Sequence, residues 1–163
     1  TMESFASLDC MGHGVFYPLQ TFTSGREVEI SMVPFLIEGN SEKTEDTICS
    51  LAESISNSVF RVGAEDRKML HLAAVFVSNF VNHMLMAGEQ ISSKTEYPFS
   101  ILQPLIDETF SKARDIGPAP AQTGPAARND QSTIEKQIDL LSFSPELLEI
   151  YRAVTRSIIK NTE

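Results

Sequence analysis

The sequence predicts a mixed α and β chain, mainly α, in which a small α/β part precedes an all-α helical part. Three observations carry that reading. Short aromatic and β-branched runs are confined to the first 62 residues, the hydrophobic spacing becomes helical from Ala64 onward, and a Pro/Gly-rich connector at 117–125 separates earlier helices from two later ones with marked start signals. The domain boundary predicted from this shift divides residues 1–62 from residues 63–163.

Gly14 to Phe22 and Val33 to Glu38 read as short strands closed by Ser24-Gly25 and Gly39-Asn40. Ser41 is placed to cap a helix over roughly 42–56, where Ile48, Leu51, Ala52 and Ile55 share a face and early acids suit the positive helix end. Ser58 to Val62 then completes a strand, helix, strand unit, which predicts a parallel pair with a right-handed crossover. A long helix follows from Ala64, about 25–29 residues against a usual mean near 12. After a loop around 93–98, a helix is expected over about 99–114. Ser132 with Glu135 reads as a capping box opening a helix to about Ser142. Ser144 followed by Pro145 opens the last helix, with Leu148, Tyr151, Val154, Thr155 and Ile158 on one face.

Composition narrows the function classes. A chain of 163 residues with 42% hydrophobic content and a net charge of −9 can bury a sizeable core. Its acidity, with a pI near 4.8, argues against nucleic acid and against an anionic membrane surface, since both call for clustered Lys and Arg. Cys10 and Cys49 have no CxxC or Cys/His spacing, which argues against a disulfide framework or a structural zinc and suits a reducing, cytoplasmic compartment. No signal sequence opens the chain. Thr1 in first place suggests either a start inside a larger gene product or a residue left before a true Met2.

The candidate site lies in Arg67–Glu89. This apolar segment carries His71, Ser78, Asn79 and Asn82, and on an ideal α-helix Ser78 and Asn82 fall about 20° either side of His71, with Asn79 about 80° away. The helix otherwise reads as buried, and buried polar groups need hydrogen-bond partners: a neighbouring helix or subunit, water, or a ligand. The same polar residues argue for a soluble helix and against a membrane span. His71 and His83 point about 120° apart, so no shared metal is expected. A second segment, Gln122 to Asp130, delivers Thr123, Gly124, Arg128 and Asp130 near a helix start. It suits an anion, or equally a connector in which Asp130 caps the helix and pairs with Arg128. In the first third, Gln20 and Thr21 follow a strand end, where ligands of open α/β sheets bind. Gly12-His13-Gly14 precedes a strand and has Tyr17 in the place of a third glycine, so it is not a dinucleotide loop. Walker, GxSxG and HExxH motifs are absent, and a hydrolase lacks a nucleophile with a matched base.

Three blocks together, GVFYPLQTFT at 14–23, DRKMLHLAAVFVSNFVNHM at 66–84 and QTGPAARND at 122–130, with PLIDET at 104–109 between, resemble a Rossmann-like NADP oxidoreductase family related to pyrroline-5-carboxylate reductase. That family is defined largely by sequence, and its helical part is catalogued as a domain of unknown function. The resemblance implies the end of a Rossmann domain followed by a helical substrate-binding and dimerisation domain similar to that of 6-phosphogluconate dehydrogenase. It implies NADP as cofactor, a small-molecule substrate and a homodimer. The family's glycine-rich loop is not in these residues, so cofactor binding and turnover by these residues alone are not expected. Members often carry His where Tyr17 stands. By resemblance, Gln20 and Thr21 are cofactor-binding positions. His71 and Asn79 are catalytic, His71 as acid/base or orienting residue. Ser78, Asn82, Thr123, Gly124, Arg128 and Asp130 are substrate-binding, with Arg128 meeting a carboxylate. The competing reading from another class is a non-catalytic helical dimerisation or binding module.

Overall fold

The computed structural model describes residues 12–162. Strand β1 (Gly14–Pro18) pairs antiparallel with β2 (Phe35–Gly39), and β2 pairs parallel with β3 (Val59–Arg61), giving a three-stranded sheet in the order β1-β2-β3. Helix α1 (Glu42–Glu53) connects the parallel pair, as the strand, helix, strand pattern predicted. It starts where the sequence indicated: the Thr44 N–H donates to Ser41 Oγ at 3.3 Å. It ends earlier than predicted, because Ser54 to Ser56 turn the chain back. Ser56 Oγ donates to the Val33 carbonyl at 2.6 Å and accepts the Ser58 N–H at 3.0 Å, tying the end of the helix to the starts of β2 and β3.

Phe35, Leu36 and Ile37 are all buried, as befits the central strand of the three. Val33, Phe35 and Ile37 pack with Cys49 and Ala52 of α1 into the core of this part, edged by Val28, Ile48 and Val59. Space there is tight. A Cβ on Gly14 would collide with the Glu38 carbonyl and with Ile48, and one on Gly39, its register partner, would collide with the Glu45 backbone. A Cβ on Gly12 would likewise meet Thr44 Oγ1 at 2.9 Å. Both glycines of the GxG therefore have a packing explanation: the close approach of α1 and, at Gly14, of the β2 backbone as well.

Helix α2 runs from Ala64 to Ser92, 29 residues. It is interrupted by a six-residue π-helical segment, Val75–Phe80. By length and composition it is apolar enough to cross a membrane, with a mean hydropathy of 1.4 over its most apolar window. None of its residues is buried within the chain. The sequence suggested a buried helix; here Phe76 is 58% and Val77 73% exposed. The reason is a lack of cover, since a helix apolar on this scale is buried only where another surface meets it.

The chain divides into two compact units, one ending at Met84 and the other beginning at Leu85. This division falls within α2, whereas the compositional shift at residue 63 marks where α2 begins. In the second unit a 3-10 turn (Phe99–Leu102) leads into α3 (Gln103–Ile116), a short α4 (Pro118–Ala121), α5 (Gln131–Leu140) and α6 (Pro145–Thr162). Its buried residues are Ala126, Ile134, Leu141, Ser144, Leu147 and Thr155. Tyr151 Oη donates to Gln137 Oε1 at 2.6 Å, joining α6 to α5. Ser144 caps α6 as expected, accepting the Leu147 N–H at 3.4 Å. Helix α5 starts differently: Asp130, not Ser132, is its cap, and its carboxylate accepts from the Thr133 N–H at 3.1 Å and from Thr133 Oγ1 at 2.7 Å.

Candidate functional site

A cavity of about 500 Å³ opens in the first unit between the end of β1 and the first half of α2. One wall is Tyr17, Leu19, Gln20 and Thr21; the other comes from α2, including His71, Ala74, Ser78 and Asn79. Leu70, Ala73, Ala74 and Val77 recur at the spacing of one helix face, and the two alanines in its middle leave room that larger side chains would fill. Among the described residues, no Asp, Glu, Lys or Arg lines the cavity.

Each wall is anchored. Beyond β1 the Leu19 N–H donates to the Pro34 carbonyl at 2.8 Å, so the segment carrying Gln20 and Thr21 leaves the sheet from a fixed point. The Gln20 Oε1 accepts the Thr21 N–H at 2.8 Å, which turns the side-chain NH2 to other partners. On α2, Arg67 bridges to Glu38 of β2 and also donates to the Val62 carbonyl at 3.2 Å. Both members of that pair are mostly covered, at 14% and 22% side-chain exposure, and they hold the start of α2 against the sheet. His71 lies one turn further on the same face. Its Nδ1 is 2.9 Å from Tyr17 Oη, with the rings edge-on.

The π segment explains which polar residues reach the cavity. An i→i+5 turn is wider than an α turn, so each residue advances less than 100° around the axis. The accumulated shortfall brings Asn79, ahead of His71 on an ideal α-helix, back toward it. Ser78 and Asn79 line the cavity with His71, and Asn82, eleven residues or about 16 Å further along the helix than His71, is not among the lining residues. Segments of this kind occur often at functional sites.

Gln20, Thr21, His71, Ser78 and Asn79 are thus brought around one cavity. Tyr17 was not among the sequence-derived site residues. Thr123, Gly124, Arg128 and Asp130 belong to the second unit, where they form a turn with Gly124 at φ 102° and Asn129 at φ 52°. The Asp130 N–H donates to the Pro125 carbonyl at 2.9 Å. Hydrogen bonds from the Thr133 hydroxyl and then its N–H, with the Arg128 charge nearby, hold the Asp130 carboxyl below its usual range. Asp130 therefore occupies the α5 N-terminus that an anion would otherwise meet, the capping arrangement that the sequence left open. Arg128 is exposed and makes no ion pair among the described residues.

Residues 33–158 match the family model for a domain of unknown function, DUF2520. The chain belongs to the DUF2520 family. Among solved structures, it is similar to the putative NADP oxidoreductase BF3122 from Bacteroides fragilis, with 39% identity and a TM-score of 0.90 over 97% of this chain. Protein TM1727 from Thermotoga maritima has the same fold, at a TM-score of 0.73 and 20% identity over 91% of this chain. In each case the aligned part is 61% of the other chain, so the DUF2520 chain described here spans about three fifths of the length of these structures. Comparison with curated proteins gives no match.

The cavity offers uncharged amides and hydroxyls between aliphatic walls, a lining that suits a small uncharged polar group.

Proposed function

We propose that this chain is the C-terminal substrate-binding and dimerisation part of an NADP-dependent oxidoreductase related to pyrroline-5-carboxylate reductase, acting on a small metabolite in the cytoplasm. The observation that carries the reading is the cavity joining the end of β1 to the π-interrupted helix, in which Gln20, Thr21, His71, Ser78 and Asn79 converge with no charged side chain in the lining among the described residues. Bound NADPH would supply a hydride. Around it the chain's residues have distinct tasks: Gln20 and Thr21 meet the nicotinamide end, Asn79 holds an amide or carbonyl, and His71 orients the reacting group or handles its proton. Ser78 contributes to the substrate from α2; Thr123, Gly124 and Arg128, taken within their own unit, are substrate-binding candidates, Arg128 for a carboxylate. Asp130 has a supporting role as the cap of α5.

The dimer belongs to the same proposal. Met69, Leu72, Phe76 and Phe80 are exposed along one helix, and a second subunit of similar apolar character would cover them. That open face also supports the non-catalytic alternative, a helical dimerisation or binding module. Kinetics separate the two. In the full-length gene product, His71→Ala should lower turnover about a hundredfold or more while NADPH binding persists. An NADP-dependent activity insensitive to this change would remove His71 from the chemistry, and a full-length protein that binds no NADPH would favour the non-catalytic module.

A further inference from the structure

We infer that Tyr17 is a positioning residue that holds His71 as its Nε2–H tautomer, so that the cavity offers an N–H donor to an uncharged acceptor, a carbonyl-type oxygen. A neutral imidazole has one N–H and one lone pair, and the bond made at one nitrogen decides what the other presents. The bond here is between Tyr17 Oη and His71 Nδ1, at 2.9 Å. A phenol O–H is a stronger donor than a neutral imidazole N–H, and an imidazole nitrogen is a stronger acceptor than a phenol oxygen. The better of the two arrangements has Tyr17 donating, with the proton of His71 on Nε2. The partners that usually impose the opposite tautomer, a carboxylate or backbone carbonyl accepting from Nδ1–H, make no bond to this ring among the described residues.

The two side chains differ in how firmly they are held. Tyr17 is in β1, paired in register with Leu36 of the central strand, and the next two residues are tied to the chain at Phe35 and Pro34. His71 is on the exposed helix, so the phenol is what stops its ring from turning. Second donors come from Gln20, whose oxygen is engaged by the Thr21 N–H. Two donors in an uncharged, apolar-walled cavity favour a carbonyl over a carboxylate or an ammonium group. The assignment of the tautomer stands on the geometry alone; the carbonyl class rests on the proposed function of the cavity.

The test is a long-range 1H–15N correlation spectrum of histidine-labelled protein above neutral pH, with His71 identified by its loss in His71→Gln. The expected pattern for His71 is that of the Nε2–H tautomer, giving way to a mixture in Tyr17→Phe while His13 and His83 keep theirs. An Nδ1–H pattern in the wild type overturns the inference, as does a wild-type pattern that Tyr17→Phe leaves unchanged. Should that variant fold poorly, the wild-type spectrum still decides. NADPH added to the full-length protein tests the carbonyl class separately: a shift of the His71 Nε2 signal supports it. Saturating NADPH without that shift overturns the carbonyl class and the site reading, while the tautomer assignment stands.

Discussion

Removing Glu38 from its pair with Arg67 should loosen the first turn of the long helix from the sheet, and the expected size follows from how covered the two side chains are. Exposed ion pairs contribute about 0–1 kcal/mol, and breaking a fully buried one costs about 3–5 kcal/mol. With Arg67 at 14% and Glu38 at 22% exposure, the pair stands between these limits. Glu38→Ala leaves a mostly covered guanidinium with only the Val62 carbonyl, so a loss of roughly 1–3 kcal/mol is expected. Urea unfolding would read this as a lower midpoint at unchanged slope. Arg61, which reaches Glu45 and Asp46 from a side chain 48% exposed, is the internal comparison, and Arg61→Ala should cost less. A Glu38→Ala protein no less stable than Arg61→Ala would refute the view that this pair seats the helix. Since His71 lies one turn beyond Arg67, the same variant should also weaken the contact with Tyr17.

Ser56→Ala should destabilise by about 1–3 kcal/mol in the same assay, because the Val33 carbonyl and the Ser58 N–H both lose their partner inside the fold. Ile37 is fully buried at the centre of the sheet, and Ile37→Ala should cost about 2–5 kcal/mol, far more than trimming exposed Leu140. Asp130→Asn should lower the melting temperature at neutral pH. Its carboxyl is held below the usual range, so the stability it adds is present above the unfolded-state value of about 3.9 and is lost as pH falls through the lower folded value. Melting curves of the two proteins should therefore converge in acid; a gap that persists there would mean that the charge is not what matters.

Much of the fold was legible because its signals are local. Ser41 before an acidic first turn, Ser144-Pro145 before the last helix and the loop around residues 93–98 each depend on a few neighbouring residues, and each stands where the sequence put it. The site was legible in part. His71, Ser78 and Asn79 stood out as polar residues on an apolar helix, but their arrangement was computed at 100° per residue. The π segment changes that advance and brings Asn79 toward His71, while Asn82 lies further along the helix, outside the cavity lining. Nothing in VFVSNF by itself announces such a turn. The α5 start was misread because Ser132 and Glu135 satisfy a local pattern, while Asp130 is brought to the helix end by a turn that depends on Gly124 and Asn129. Burial of the long helix was not legible at all, for burial depends on the surface that covers a helix and periodicity reports only its face.

The cavity's role is tested most directly by titrating the full-length protein with NADPH and following nicotinamide fluorescence, in wild type and in Ala74→Leu. These residues contain no tryptophan to obscure the signal. Ala74 lines the cavity, and leucine there would fill the space between the helix and the end of β1 without disturbing helix formation. Saturable enhancement in the wild type, lost or weakened at least tenfold in Ala74→Leu while the variant keeps its fold, is the predicted result. Equal binding by both proteins would contradict the account and put the nicotinamide end elsewhere.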